Sequence, residues 1–203
     1  MIVTNPNCST IGLVIALKPL LDAVGVREIS VVTLQALSGA GFPGVSSLEI
    51  LDNVIPFISG EEEKMQKEPL KILGSYVNGS IRHLDAKISA QCNRVAVVDG
   101  HTECVFVKLD QKPSREAVKE AWQRFESEAQ RLQLPLAPQK PIHYFEDDRY
   151  PQPRLHRNLD KGMAVCIGRL RECSIFDYKF VLLSHNTVRG AAGGAILCAE
   201  LMA

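Results

Sequence analysis

The sequence lacks any excess of charge of one sign and any long apolar run. Its 23 lysines and arginines balance 23 aspartates and glutamates, so the formal net charge is zero. Binding to nucleic acids or anionic membranes relies on a basic excess, so we expect neither partner. The most apolar stretch, 11–24, contains Lys18 and Pro19 and is too interrupted to span a bilayer. Residues 1–4 show no signal-peptide pattern, which predicts a cytoplasmic protein.

The sequence also lacks paired cysteines. Its six cysteines include no CxxC pair and no cysteine–histidine cluster at the spacing of a zinc site. A chain of 203 residues, 46% of them apolar, can build its own core and does not need disulfides. We therefore expect a reducing compartment and no metal cofactor. The cysteines are Cys8, Cys92, Cys104, Cys166, Cys173 and Cys198.

The apolar pattern predicts one domain in which central strands are flanked by helices. The expected strands are 1–4, 28–37, 88–98, 102–109, 163–169 and 176–184, with a shorter one near 143; the expected helices are 8–23, 61–73, 114–132 and 187–202. Pro69 is expected to break the second of these helices. Because strands and helices do not alternate regularly, we expect an α+β fold with a mixed, largely antiparallel sheet and its helices on one face.

Cys8 lies where the first predicted strand gives way to the first predicted helix. Backbone N–H groups at a helix start have no intrahelical partners, and the helix dipole there favours a thiolate. The same N–H groups can stabilise an oxyanion that forms when sulfur attacks a carbonyl. These properties suit a nucleophile that labels faster than the other cysteines. A buried, inert cysteine is the alternative, and position alone leaves both open.

Two pairs of polar residues could serve such a nucleophile. Arg94 lies in a predicted strand, where its planar guanidinium suits a carboxylate, and His101 follows the next turn as a candidate proton carrier. A surface arginine and a turn histidine are the alternative. Glu68 and Lys71 are spaced to share one helix face, although an exposed ion pair explains them equally well.

Two glycine-containing segments favour close approach to a ligand. Gly39, Gly41 and Gly44 form a GxGxxG pattern, but Pro43 lies inside it and no βαβ unit surrounds it, so we reject a dinucleotide fingerprint. A flexible loop remains, with Gln35 just before it at the predicted strand end. The small residues of 190–194 permit close contact with a ligand, and tight helix packing is the alternative.

Taken together, the order and spacing of these motifs resemble the aspartate-semialdehyde dehydrogenase family in its archaeal and fungal branch. Residues 5–10, Asn-Pro-Asn-Cys-Ser-Thr, resemble its nucleophile motif, and 60–74 resemble its substrate helix. Residues 92–102 resemble its arginine–histidine motif, and 186–192 its C-terminal cofactor motif. The resemblance runs through the whole chain and implies a fold like the C-terminal domain of glyceraldehyde-3-phosphate dehydrogenase.

The resemblance implies an NADPH-dependent reaction that converts L-β-aspartyl phosphate to aspartate semialdehyde and phosphate, on the route to lysine, methionine and threonine. Cys8 is expected to attack the acyl phosphate and form a thioester. His101 is expected to be the acid–base group that takes the thiol proton. Gln35 is expected to orient the acyl intermediate.

The resemblance also implies the substrate contacts. Arg94 is expected to bind the α-carboxylate and Glu68 the α-amino group, while Lys71 and Asn7 bind the phosphate. Pro69 departs from the family pattern and puts the role of Glu68 in doubt, because it removes a backbone N–H beside it.

For the cofactor, the resemblance implies that Ser38, Gly39 and Asn186 contact NADP near the nicotinamide. Members of the family begin with a Gly-rich unit for the NADP phosphates, and no such unit occurs in this sequence. We therefore expect a fragment that is inactive alone and binds NADP poorly, with the helix 187–202 packing on the missing cofactor domain.

The implied partner is a second copy of the chain, paired through the sheet, with a tetramer in full-length members. One alternative is a dimerisation module without catalysis. Another is an enzyme that reduces malonyl-CoA by the same thioester chemistry. Malonyl-CoA offers a carboxylate to Arg94 but no amine to Glu68.

Overall fold

A computed structural model describes residues 3–203. The α-helices are α1 (Cys8–Val24), α2 (Ser47–Ile50), α3 (Glu61–Ile72), α4 (Arg115–Gln123), α5 (Glu128–Arg131), α6 (Pro153–His156) and α7 (Gly193–Met202). The strands are β1 (Val26–Gln35), β2 (Ser75–Val77), β3 (Ser80–Arg82), β4 (Lys87–Arg94), β5 (His101–Leu109), β6 (Ile142–Phe145), β7 (Val165–Glu172) and β8 (Tyr178–Ser184). Short 3-10 turns cover Leu37–Ala40 and Leu159–Gly162, and a π-helix covers Val188–Ala192.

Six strands form one sheet in the order β4-β1-β5-β8-β7-β6. The pairs β1–β5, β5–β8 and β7–β8 are antiparallel, whereas β1–β4 and β6–β7 are parallel. The predicted α+β fold with a mixed, largely antiparallel sheet is therefore confirmed. Strands β2 and β3 form a separate hairpin. Within residues 3–203, no helix has the length and apolar character needed to cross a membrane.

The sheet register brings the candidate site residues to one edge. Gln35 ends β1 opposite Arg94 at the end of its parallel neighbour β4. His101 begins β5, which runs antiparallel to β1, so it starts where β1 ends. Helix α1 leads directly into β1, and β1 runs back along the helix. Cys8, at the start of α1, therefore lies at the same edge as the end of β1.

The core lies between α1 and the sheet. Because α1 is apolar on nearly all sides, it buries ten residues against the sheet and neighbouring helices. Trp122 of α4 closes the core from the side: its Nε1 donates to the Ala16 carbonyl oxygen at 2.9 Å, and its ring meets Phe180 edge-on with centroids 5.0 Å apart. This packing fixes the axis of α1 and hence the position of its first residue.

Four predicted elements differ from the structure at their ends or interiors. Helix α3 continues through Pro69, which is buried, because the helix ends within one turn and Leu73 N–H still donates to the Pro69 carbonyl. Of the predicted strand 1–4, residues 1 and 2 lie outside the described part of the chain, and Val3 and Thr4 are irregular.

The long helix predicted over 114–132 is divided into α4 and α5. Ser127 forms a capping box with Gln130, whose Oε1 accepts from the Ser127 N–H at 3.0 Å. This cap begins a new helix where the pattern of apolar residues suggested continuation. The predicted final helix likewise begins as the π-helix and becomes α-helical only at Gly193.

Candidate active site

Asn7 positions Cys8 at the start of α1. The Asn7 Oδ1 atom accepts from the N–H groups of Ser9 at 2.9 Å and Thr10 at 3.3 Å, which is a typical N-cap. Cys8 is therefore the first helical residue, half-buried at the sheet edge. Cys8 was predicted to lie between a strand and a helix. It does begin a helix, but the described residues just before it are irregular.

Cys8 contacts His101. The distance between Cys8 Sγ and His101 Nε2 is 3.2 Å. On its other side, the His101 ring accepts a hydrogen bond at Nδ1 from the backbone N–H of Ala36, at 3.0 Å. His101 is fully buried, so the ring is held between the end of β1 and the start of α1.

The electrostatics of this pair differ from the expectation of a favoured thiolate. Burial raises the pKa of the Cys8 thiol to about 11, and the negative charge of Glu61 adds to the rise. The backbone N–H groups of Cys8 and Ser9 oppose that rise but do not outweigh it. Burial lowers the pKa of His101 to about 3, with Arg94 and then His185 as further causes. At neutral pH the pair is therefore a thiol and an uncharged imidazole.

Arg94 lies beside the pair. Its side chain is 5% exposed, and Nη1 donates to the Ala36 carbonyl at 2.6 Å. Burial lowers the pKa of its guanidinium, but this group still carries its charge at neutral pH. Arg94 thus offers a positive charge next to Cys8 and His101.

Gly39 covers these groups from the Leu37–Ala40 turn. A Cβ atom at Gly39 would lie 2.8 Å from Arg94 Nη1 and 2.9 Å from His101 Cε1, so a side chain here would collide with the pair. The outer side of Gly39 is exposed. A flat ligand can therefore lie against this turn close to His101 and Arg94.

Asn186 ties this turn to a second loop. Its Nδ2 donates to Ser38 Oγ at 2.8 Å, and its Oδ1 accepts from the Gly100 N–H at 2.8 Å. Both ends of the buried amide are therefore engaged within the chain. Contact with a cofactor through this amide requires one of the two bonds to open, so the geometry favours a positioning role.

Glu61 is the acidic residue that the sequence analysis missed. Its carboxylate accepts from Asn7 Nδ2 at 2.9 and 2.8 Å, from Gln35 Nε2 at 3.1 Å and from Lys64 Nζ at 3.1 Å. Glu61 and Lys64 have the same three-residue spacing as Glu68 and Lys71, so the spacing alone could not decide between the two pairs. The signal that could have identified Glu61 is its position at the start of a helix, directly after a glycine.

The structure places Glu68 and Lys71 differently from each other. Glu68 Oε2 accepts from the Asn7 backbone N–H at 2.7 Å, so this carboxylate is close to the nucleophile motif. Lys71 is exposed near the C-terminal end of α3. The predicted phosphate contact of Lys71 stays a prediction. The lysine whose charge interacts with Cys8, Glu61 and Glu68 is Lys64, two helical turns earlier.

Gly190 brings the π-helix against the nucleophile. A Cβ atom at Gly190 would lie 2.9 Å from the Cys8 Cβ and 3.1 Å from its Cα. Gly193 and Gly194 are similarly packed, against Met163 and the Arg189 carbonyl. The small residues of this motif thus serve tight packing, and the packing is against the site itself.

Among residues 3–203, no three or more His, Cys, Asp or Glu side chains group as a metal site would require.

The family of the chain follows from comparison with known proteins. Residues 17–189 match the family model described as the semialdehyde dehydrogenase dimerisation domain. The chain belongs to this family. Its relatives include the aspartate-semialdehyde dehydrogenases of Methanothermobacter thermautotrophicus, 51% identical over 203 residues, and Schizosaccharomyces pombe, 53% identical over 208 residues. The resemblance drawn from the motifs is thereby confirmed.

Solved structures agree with the sequence relatives. Aspartate-semialdehyde dehydrogenase from Candida albicans, determined with NADP, superposes with a TM-score of 0.88 at 45% identity and covers 97% of this chain. Aspartate-semialdehyde dehydrogenase II from Vibrio cholerae, complexed with ASA, gives a TM-score of 0.78 at 26% identity over 98% of this chain. This likeness confirms the fold predicted from the resemblance.

The chain is shorter than these relatives. It is covered to 99% and 98% by the Methanothermobacter and Schizosaccharomyces proteins, but it spans 58% of the length of each. It spans 56% of the Candida chain and 62% of the Vibrio chain.

Proposed function

We propose that this chain is the catalytic and subunit-pairing part of an aspartate-semialdehyde dehydrogenase, which reduces L-β-aspartyl phosphate to aspartate semialdehyde with release of phosphate. The observation that carries the proposal is the contact of 3.2 Å between Cys8 Sγ and His101 Nε2, beside the buried guanidinium of Arg94. These groups match the needs of acyl transfer: a nucleophile, a polar partner for it and a cation for a carboxylate.

In this proposal Cys8 attacks the acyl carbon and forms a thioester, and Arg94 binds the substrate α-carboxylate. Because Asn7 Oδ1 engages the N–H groups of Ser9 and Thr10, the backbone group that we assign to the developing oxyanion is the Cys8 N–H. Gln35 donates to Glu61 and also to Thr33 Oγ1, so it is held at the site floor, where it can orient the acyl group.

For the amine and the phosphate, we propose contacts that differ from those implied by the resemblance. Glu61 and Glu68 both lie against Asn7, and either carboxylate can receive an ammonium group. Lys64 replaces Lys71 as the proposed phosphate partner, together with the amide of Asn7. Two carboxylates beside one cysteine favour an aminated substrate, and they argue against malonyl-CoA, which has no amine.

NADPH would supply the hydride that reduces the thioester. In this chain the turn with Ser38 and Gly39 would meet the nicotinamide, and Asn186 would hold that turn in place. The relatives are longer than this chain, and we propose that cofactor binding and turnover require sequence that it does not contain. We also propose that α7 packs on that cofactor-binding part, because Ile196, Leu201 and Met202 are exposed along it.

Acylation tests the proposal without the cofactor. The chain is mixed with β-aspartyl phosphate, and released phosphate and intact-protein mass are followed over time. We expect one phosphate per chain and an acyl adduct on Cys8, with no adduct in Cys8→Ser. Cys173→Ser is the matched control and should acylate like the wild type. An adduct that persists in Cys8→Ser, or none in the wild type, would overturn the assignment.

Addition of NADPH tests the need for further sequence. We expect acylation without continued oxidation of NADPH. Sustained turnover by the 203-residue chain would contradict that part of the proposal.

A further inference from the structure

Four buried oxygen atoms without a hydrogen-bond partner in the protein lie on the inner side of Cys8 and His101. Within residues 3–203, six buried side-chain nitrogen and oxygen atoms have no such partner. Four of the six are the two carboxyl oxygens of Glu103 and the hydroxyl oxygens of Ser9 and Ser184. Buried polar atoms that find no protein partner usually bind an ordered water molecule. This group of atoms therefore indicates a polar site that none of the roles assigned above uses.

The sheet register brings two of these side chains to the face that α1 covers. Glu103 follows His101 by two residues in β5, so both side chains lie on the same face of the sheet. Ser184 is the cross-strand neighbour of His101 in β8. All three side chains are buried. The Glu103 carboxyl and the Ser184 hydroxyl thus lie on the buried face beside His101.

Helix α1 closes this space from above. A Cβ atom at Gly12 would lie 2.9 Å from the Ser184 Cβ and 3.5 Å from its Oγ, so the helix backbone passes directly over Ser184. Ser9 lies one turn earlier on the same side of α1 and directly follows Cys8. Because Ser9 is fully buried, its hydroxyl lies between the helix start and the sheet.

Glu103 occupies this space as an uncharged acid. Burial raises the pKa of its carboxyl well above the usual value. The titratable groups that respond to its charge are Cys8 from α1, Cys92 from β4 and its own neighbour Cys104, and an ionised Glu103 raises the pKa of each thiol. A protonated carboxyl both donates and accepts hydrogen bonds, as a serine hydroxyl does, so these groups can share water.

We propose that Glu103, Ser9 and Ser184 form a water-binding site below Cys8 and His101, in which Glu103 is a neutral positioning residue for the nucleophile. The water links the acid of β5 to the hydroxyls of α1 and β8. This link ties the first turn of α1 to two strands and so fixes Cys8 relative to the sheet. The site stands on the geometry above, whereas its effect on acylation rests on the proposed function.

A crystal structure of the chain, at a resolution that shows ordered water, tests the site directly. We expect at least one water molecule within hydrogen-bond distance of the Glu103 carboxyl and of one of the two serine hydroxyls. A carboxyl that bonds directly to a serine, or that has no water beside it, would overturn the water-binding site.

Infrared spectroscopy at pH 8 tests the uncharged acid, because ordinary carboxyl groups are ionised at this pH. The wild type should show the C=O band of a protonated carboxyl, and Glu103→Gln should lose it. Glu126→Gln is the matched control, since Glu126 is exposed and its removal should leave the band in place. A wild-type spectrum without this band would overturn the neutral form of Glu103.

Urea unfolding tests the same point by linkage. The folded chain holds a proton on Glu103 that the unfolded chain releases above pH 4.5, so this contribution to stability is lost as pH rises. From about pH 5.5 to about pH 7, each pH unit should increase the unfolding constant of the wild type about tenfold relative to that of Glu103→Gln. Parallel pH dependences in the two proteins would contradict the proposal.

The reactivity of Cys8 separates positioning from stability alone. Glu103→Gln keeps a neutral polar group for water, so the pH profile of Cys8 alkylation should not move. A shift of that profile to lower pH would show that wild-type Glu103 is charged and would contradict the proposal.

Acylation by β-aspartyl phosphate tests the positioning role. Glu103→Leu removes the partner of the water, and it should acylate at least about tenfold more slowly than Glu103→Gln, because a displaced nucleophile reacts poorly. Equal rates in the two variants, both folded by circular dichroism, would contradict the positioning role. If the wild type does not acylate, the proposed function fails, and the crystal structure and the infrared band still decide the site.

Discussion

Glu61 has two opposing effects on the nucleophile. Its carboxylate holds Asn7 and Gln35 in place, and both belong to the site. The same charge raises the pKa of the Cys8 thiol, second only to burial. The residue that organises the site therefore also helps to keep its sulfur protonated, even though it is paired with Lys64.

Glu61→Gln should lower the pKa of Cys8, because the variant removes this negative charge while keeping an oxygen acceptor. The measurement is the pH dependence of Cys8 alkylation, followed by peptide mass spectrometry. Each unit by which the pKa falls raises the thiolate fraction at neutral pH about tenfold. Glu63→Gln is the matched control, since Glu63 pairs with Lys67 on the exposed side of α3. An unchanged profile in Glu61→Gln would contradict the assigned cause.

Cys173 should label faster than Cys8 at neutral pH, contrary to the expectation from sequence. The N–H groups of Phe176 and Ile175 bond to the Cys173 sulfur and lower its pKa, whereas that of Cys8 is raised. Limited alkylation with iodoacetamide should modify Cys173 first, and Cys173→Ser should remove the fast phase. Fast modification of Cys8 instead would show that the helix start outweighs burial.

His101 should make the fold sensitive to acid. Its pKa falls from 6.5 in the unfolded chain to about 3 in the folded one, so the folded state binds fewer protons. The corresponding stability is present above the unfolded value and is lost as pH falls from 6.5 toward 3. The full loss amounts to roughly 5 kcal/mol. Urea unfolding across this range should show a shallower decline in His101→Gln than in the wild type, and parallel declines would refute the expectation.

At the scale of elements, most of the fold could be predicted, and the local exceptions have identifiable causes. Strongly periodic segments such as α1 and β5 were predicted nearly to their ends because apolar spacing records which face is buried. The division of α4 from α5 depends on a cap at Ser127, and the π-helix packs closely on Cys8 at Gly190; neither feature leaves a periodic signal.

The site was predictable only in part for a related reason. Motif spacing identified Cys8, Arg94 and His101, which the register of the sheet brings together. It did not single out Lys64, because Lys64 and Lys71 lie two turns apart in one helix and spacing does not show which lysine interacts with Cys8 and Glu61. It also could not foresee that burial outweighs the helix start at Cys8.

Gly190→Ala should disturb the site through the π-helix. The added Cβ would lie 2.9 Å from the Cys8 Cβ, so either α1 or the π-helix must shift. We expect a loss of about 1–3 kcal/mol in the free energy of unfolding, typical of overpacking, and slower acylation of Cys8. Ala192→Ser is the matched control in the same element, because Ala192 is exposed. Wild-type acylation in Gly190→Ala would show that the contact is not needed.

At the scale of the whole molecule, one face of the sheet is covered by helices and the other is not. Val32, Cys104 and Val181 are cross-strand neighbours at the centre of the uncovered face, and each is half-buried. An apolar centre of this kind suits pairing with a second copy. It supports the proposed homodimer, and the family is described by its dimerisation domain.

Val181→Lys should therefore dissociate a pair of chains, because it places a charge at the centre of the apolar face. Light scattering at micromolar concentration should give twice the mass of the chain for the wild type and the single mass for the variant. Ile175→Lys is the matched control: Ile175 is 82% exposed in the turn before β8 and should not alter the mass. A wild-type monomer would contradict pairing through this face.

The atom that fixes the His101 ring belongs to the main chain, and this has an evolutionary consequence. Every amino acid except proline supplies the same N–H at position 36, so side-chain drift there cannot erase the contact. The φ angle of Ala36, −67°, would even accommodate a proline, whose ring would then replace the donor and press on the imidazole. A functional lineage should thus tolerate varied small residues at this position and exclude proline from it.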